Sequence, residues 1–162
     1  MTHLYRSATL ALVLLLAPSV PVASASTISP IRTSVSTPDP KTCPELRSLI
    51  KEVGLPPIFL KIAYRESRCQ RKAVGWNYRQ GSGPGSCKNA PFSTYLQSCR
   101  RHLRSFDSGL WQVNSSWYSI TKAICGKTPQ QGALFDARCN ARVAKYLYDN
   151  GGLGHWRASS GS

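Results

Sequence analysis

Residues 105–118 read Ser105-Phe106-Asp107-Ser108-Gly109-Leu110-Trp111-Gln112-Val113-Asn114-Ser115-Ser116-Trp117-Tyr118. Gln112 and Asn114, which can fix hydroxyl groups, alternate with apolar neighbours over a short run of extended character. Trp117 and Tyr118 add flat faces on which a sugar ring can stack. One carboxylate, Asp107, accompanies them. A second carboxyl lies upstream, where Glu66 follows Phe59 by seven residues, Ile62 by four and Ala63 by three, so that on a helix it shares their apolar face. Such a carboxyl is expected to be desolvated, which suits a proton donor. The competing reading of Glu66 is an ion-paired core glutamate. Glycoside cleavage needs a protonated carboxyl for the leaving oxygen and often a second carboxylate for the cationic transition state, which makes Glu66 and Asp107 a chemically sensible pair.

Working outward, Thr42-Cys43-Pro44-Glu45 has the spacing of a capping box. Leu46, Leu49, Ile50 and Val53 then fall at i, i+3, i+4 and i+7, an amphipathic helix ending at Gly54. Leu55-Pro56-Pro57 opens a second helix to about Arg68, with Ile58, Phe59, Ile62 and Ala63 supplying its core face. Residues 70–106 contain Gly81, Gly83, Gly85, Pro84 and Pro91 without a sustained period and read as loop or short irregular structure. Trp117 to Ala123 and Asp136 to Asn150 are further helices, the second capped by Asp136 and stopped at Gly151-Gly152. The expected fold class is mainly α, or α+β: a helical domain with a short extended or loop segment beside a cleft.

The chain has 162 residues and a formal charge of +14, with 21 Lys and Arg against 7 Asp and Glu, so its preferred partners are anionic. Residues 1–25 read as a secretory signal: Arg6, an apolar run from Ala8 to Ala17 too short to span a bilayer, and Ala23-Ser24-Ala25 as the cleavage site. Residues 26–41, rich in Ser, Thr and Pro, read as a flexible tail, leaving 42–158 as one folded domain. Export places the six cysteines in oxidising surroundings as three disulfides. An antiparallel pair of opening helices brings Cys43 to Cys69, while Cys87–Cys99 and Cys125–Cys139 close short loops. With no Cys-x-x-Cys and only three histidines, no metal or cofactor is expected. Gly81 to Gly85 lacks the Lys-Ser/Thr of a phosphate loop, and His102 has no paired nucleophile for a hydrolase triad. Arg100, Arg101, His102 and Arg104 form a basic cluster, either a solvated face or a means of retention on anionic cell-wall polymers. No nucleic-acid recognition motif accompanies the charge.

Ala63-Tyr64-Arg65-Glu66-Ser67 and Asp107-x-Gly109-Leu110-x-Gln112-Val113-Asn114-Ser115-x-Trp117 together resemble the lysozyme superfamily. They are most similar to its soluble lytic transglycosylases (SLT domains) of the small invasion- and conjugation-associated type. Leu134 to Ala144, Gly151-Gly152, Trp156, and Cys43 with Glu45-Leu46 extend the resemblance over about residues 43–158. It implies a lysozyme-like α+β fold and an extracytoplasmic, cofactor-free, monomeric enzyme with no membrane attachment after processing. The substrate implied is peptidoglycan, cut at the β-1,4 bond between MurNAc and GlcNAc. By the same resemblance Glu66 is the catalytic acid, Gln112, Asn114 and Asn140 bind substrate, and Trp117 with Tyr118 packs on saccharide. Three departures accompany it. The Glu66–Asp107 interval is longer than in animal-type lysozymes and carries Cys87 and Cys99. Trp111 replaces the methionine usual in the bacterial enzymes and is expected to narrow the cleft floor. The Tyr-Asn that normally closes a transglycosylase domain does not follow Trp156. A lytic transglycosylase with a single catalytic Glu is therefore the expected function. A lysozyme-type hydrolase using Glu66 and Asp107, or a saccharide-binding protein without catalysis, are the alternatives. A costly desolvated carboxyl argues for an enzyme over a pure binder.

Overall fold

The computed structural model describes residues 41–83, 85 and 90–161. The signal segment 1–25, all but the last residue of the 26–41 tail, and Cys87 with its expected bridge to Cys99 lie outside the described residues.

A 3-10 turn, Pro44–Leu46, leads into helix α1, Arg47–Val53. The capping box at Thr42 is not what starts it. Cys43 holds the N-cap position without a side-chain cap, and the proline that follows has no N–H to satisfy. Gly54 ends α1 in the left-handed region, at φ +76°. Helix α2, Ile58–Ser67, buries Phe59, Ile62 and Ala63 completely. It ends at Arg68 and Cys69, two successive non-glycine residues at φ +53° and +64°. The Cys43–Cys69 disulfide fastens this strained exit to the start of α1.

Residues 70–106 are not the loop that their glycines suggested. Strand β1, Val74–Tyr78, is followed by helix α3, Phe92–Ser98, and strand β2, Leu103–Ser108. A two-residue strand β3, Val113–Asn114, completes an antiparallel sheet in the order β1-β2-β3. Register pairs Gly75 with Asp107, Trp76 with Phe106 and Asn77 with Ser105, and Asp107 in turn with Asn114. The ladder then shifts so that Tyr78 meets Leu103, which leaves Arg104 as an unmatched, bulged residue. Because strand side chains alternate, Gly75, Asn77, Ser105, Asp107 and Asn114 share one face, and Trp76 and Phe106 the other. On that second face Trp76 stacks on Tyr95 of α3 at 4.0 Å between ring centroids. Tyr95 is fully buried and donates its hydroxyl to Tyr78; burial, then that hydrogen bond, pushes its phenol up to about 12.

Helix α4, Tyr118–Cys125, and helix α5, Ala137–Gly151, agree closely with the sequence reading. Asp136 caps α5 by accepting the Cys139 N–H at 2.8 Å, and Cys125–Cys139 ties the end of α4 to that first turn. A short helix α6, Arg157–Ser160, follows a 3-10 turn ending at Trp156. The described residues are thus helical around one small sheet, the mainly α or α+β arrangement expected.

Trp111 is the knot of the main core. Its indole N–H donates to the Phe59 carbonyl of α2 at 2.9 Å. Its backbone N–H donates to Asn140 of α5 at 3.0 Å, and its carbonyl accepts from the Trp156 indole at 2.9 Å. The Phe59 ring meets the rings of Trp111, Tyr148 and Trp156 edge-on. Gly109, at φ +82°, permits this closeness, since a Cβ there would lie 2.2 Å from the Leu134 carbonyl oxygen and 2.4 Å from the Asn140 amide nitrogen. Gly126 has a similar φ of +72° but open space around it.

Gly109→Ala is therefore expected to cost at least about 3 kcal/mol from strain plus overpacking, against about 1 kcal/mol for Gly126→Ala. Urea midpoints at constant slope measure both. Equal losses would show that the backbone angle, rather than the packing against Asn140, governs this turn.

Candidate active site

Glu66 lies on the last turn of α2, beside a surface concavity of about 840 Å³ that Lys61, Tyr64, Arg65, Arg68 and Ser159 also line. Arg65 reaches across to α6 and donates to the carbonyls of Ala158 and Ser159 at 3.3 and 3.0 Å, and Arg68 sits over the Tyr64 ring at 4.5 Å. Glu66 is only partly buried, because it flanks the Phe59–Ala63 stripe at the helix end instead of lying beneath it. It makes no hydrogen bond or ion pair among the described residues, so the reading as an ion-paired core glutamate does not apply. Four cationic side chains, Lys41, Lys61, Arg65 and Arg68, line the same concavity and no other carboxylate does.

Asp107 occupies a different environment. Its Oδ2 accepts from the Asn77 amide at 2.8 Å and its Oδ1 from the Asn114 amide at 2.7 Å. Both amide nitrogens also lie 3.1 Å from Ser105 Oγ. Two N–H donors, one on each oxygen, fit a carboxylate anion and fix its orientation on the sheet face. The sheet register brings the four together: Asn77 from β1, Ser105 and Asp107 from β2, Asn114 from β3. Asn77 and Ser105 escaped the sequence reading. The signal was present in the apolar-polar alternation Val74-Gly75-Trp76-Asn77-Tyr78, a strand too short to stand out among the glycines that follow it.

Glu66 and Asp107 stand on either side of one chain crossing. Ser67 Oγ lies 2.9 Å from both the Ala63 and the Leu110 carbonyl oxygens, joining the residue after Glu66 to the turn three residues beyond Asp107. Asp107 itself is not among the residues that line the Glu66 concavity. Its two amide partners, Asn77 and Asn114, line a separate groove of about 680 Å³ over the sheet, together with Trp76, Tyr78, Arg104, Ser105 and Ser116.

The remaining expected site residues divide. Tyr118 is 44% exposed at the start of α4, and Trp117 beside it is partly buried, edge-on to His155 at 5.5 Å. Both keep an accessible aromatic surface. Gln112, held at φ +46°, donates its amide to the Ala73 and Gly109 carbonyls at 3.2 and 2.9 Å and leaves Oε1 against Gly75, where a Cβ would approach it to 3.0 Å. It braces the turn and is not among the residues that line either concavity. Asn140 is corrected outright. It is fully buried, with Oδ1 accepting from Trp111 N and Nδ2 donating to the Ser108 carbonyl at 3.0 Å, so it supports the turn and presents no surface to a substrate. Trp111 is likewise entirely buried and forms core, not cleft floor. For metal ions, the one close trio of ligand types among the described residues is Cys43, Glu45 and Cys69, whose two sulfurs are bonded to each other.

No family model, curated protein or solved structure matches the chain.

Replacing Asn114 by Asp would set two carboxylates against each other where an amide now donates. Asn114→Asp is expected to lose about 1–3 kcal/mol at pH 7 and to regain part of it toward pH 4, as one of the pair takes up a proton. The sign follows from like-charge repulsion, which raises the proton affinity of the folded pair and makes stability fall as pH rises. Denaturation midpoints at the two pH values measure it, and a deficit independent of pH would contradict the clamp geometry.

Proposed function

We propose that the protein is an extracytoplasmic peptidoglycan glycosidase that cleaves the β-1,4 bond between MurNAc and GlcNAc, with Glu66 as proton donor. The observation that carries this reading is the contrast between the two carboxyls. Glu66 has no hydrogen-bond or ion-pair partner among the described residues and stands at the edge of an open concavity, where a glycosidic oxygen can reach it. Asp107 is held by two amides as an oriented anion. Glycoside cleavage uses two carboxyls, one reaching the leaving oxygen and one held as an anion, and these two residues supply one of each. In such a step Glu66 protonates the glycosidic oxygen, the bond from that oxygen to the MurNAc anomeric carbon breaks, and Asp107 stands opposite the positive charge that develops there. Water then bonds to the anomeric carbon and gives a proton back to the Glu66 carboxylate, which completes hydrolysis. Tyr118, 44% exposed, and the partly buried Trp117 offer aromatic faces on which a sugar ring can stack. Paired cysteines support an oxidising compartment.

The sequence resemblance favours a lytic transglycosylase, in which the muramic 6-hydroxyl replaces water and a 1,6-anhydro end forms. The amide clamp on Asp107 favours hydrolysis instead, because a carboxylate so rigidly oriented suits a direct part at the anomeric centre. The lysozyme-type hydrolase is therefore the reading preferred, with the transglycosylase second.

Digestion of purified peptidoglycan followed by mass analysis of the sugar ends tests activity and outcome together. Reducing ends are expected, with Glu66→Gln and Asp107→Asn each lowering the rate about a hundredfold or more while melting cooperatively. Anhydro ends together with a tolerated Asp107→Asn would select the transglycosylase. Digestion unaffected by Glu66→Gln would overturn the assignment of the acid.

A further inference from the structure

A second concavity, of about 510 Å³, opens beside the sheet groove and shares Arg104 and Ser105 with it. Four arginines line it: Arg79 just after β1, Arg100 and Arg101 in the 3-10 turn after α3, and the bulged Arg104 of β2. No carboxylate is among the lining residues. Four of the chain's seven acids are engaged elsewhere: Glu52 pairs with Arg138, Asp149 with Lys145, Asp136 caps α5 and Asp107 sits in its amide clamp. None of the four arginines forms an ion pair among the described residues. Where their hydrogen bonds are defined, only Nε is used, Arg79 to the Leu103 carbonyl and Arg101 to His102, so the terminal nitrogens remain without a protein acceptor among the described residues. Four uncompensated guanidinium groups gathered by a bulge and a tight turn repel one another, and a bound anion relieves that repulsion.

We propose that this arginine concavity is a binding site for a phosphodiester polymer without bases, of the polyol-phosphate kind. All four cations are guanidinium groups, whose planar forks bind phosphate oxygens in pairs, and none is a lysine. A single carboxylate is planar and satisfied by one fork. A tetrahedral phosphodiester accepts from several directions, which suits arginines converging from three chain segments. The junction with the sheet groove at Arg104 and Ser105 makes the surface elongated, so it fits a repeating chain better than an isolated anion. Within the arginine concavity the one aromatic residue, Phe106, is 3% exposed and offers no face to a nucleobase, and of the adjoining groove's aromatics Trp76 is already stacked on Tyr95. The site does not depend on chemistry at Glu66, and the occupant needs no glycosidic bond.

Binding of the full chain to soluble poly(glycerol phosphate), measured by titration between about 50 and 200 mM salt, tests the proposal. Arg100 and Arg104 make no side-chain hydrogen bond among the described residues, so Arg100→Gln with Arg104→Gln removes charge and leaves the structural hydrogen bonds in place. The double variant is expected to bind about tenfold or more weakly, with a salt slope shallower by about two, since each arginine that no longer neutralises a phosphate lowers it by about one. Arg47→Gln with Arg142→Gln removes equal charge from exposed positions on α1 and α5 and is expected to stay within about twofold of wild type. An equal weakening in both double variants would reduce the effect to diffuse net charge and overturn the site. Absence of binding would overturn it as well. So would tighter binding of a single-stranded oligonucleotide of matched charge, lost in the Arg100/Arg104 variant, which would make nucleic acid the occupant. Because the probe holds no sugar–sugar bond, none of these results bears on the glycosidase reading.

Discussion

The turn from Gly109 to Gln112 has to pass between α2 and α5 at a distance that leaves no room for a side chain at its first position. Everything near the candidate site depends on that clasp. Trp111 spends its indole N–H on α2, its amide N–H on α5 and its carbonyl on Trp156. Each hydrogen bond alone contributes only about 1 kcal/mol net, but leaving any of these buried groups unpaired costs more. Gln112 and Ser67 then tie the same turn to the segment before β1 and to the end of α2. The four-residue turn thereby fixes where β2 ends, where β3 begins and where the last turn of α2 rests.

Two carboxyls with unlike surroundings follow from that arrangement. Glu66 is carried to the clasp by α2, whose apolar stripe runs out at the helix end and leaves the carboxyl at the surface. Asp107 is carried by β2, and the sheet register sets amides from both neighbouring strands against it. The same register throws Trp76 and Phe106 to the opposite face, onto α3, so one face is polar and receptive while the other is core. The bulge at Arg104 turns a cation out at the junction of two grooves and gives this end of the molecule its basic character.

Much of this was legible in the sequence, and the remainder was not for definable reasons. Helical periodicity announced α2 and α5, and Asp136 announced the cap of α5. The pairings Cys43–Cys69 and Cys125–Cys139 followed from helix placement. The strands β1 and β2 were missed because five- and six-residue elements among glycines carry little signal, and the Arg104 bulge breaks the alternation of β2 at Leu103 and Phe106. Asn77 and Ser105 were lost with them, since their importance lies in register, which no single strand contains. Asn140 and Trp111 were misread for the converse reason. A motif says that residues recur together, and it does not separate those that touch a substrate from those that hold the turn beneath it.

A site that joins Glu66 and Asp107 across this clasp must receive one saccharide chain along both. Backbone amide chemical shifts followed during titration of the Glu66→Gln protein with a soluble peptidoglycan tetrasaccharide test that most directly. A single binding event that perturbs residues 64–68 of α2 together with Asn77, Ser105, Asp107, Asn114 and Tyr118 is the result expected. Perturbation confined to one carboxyl's side of the crossing, or to neither, would contradict it.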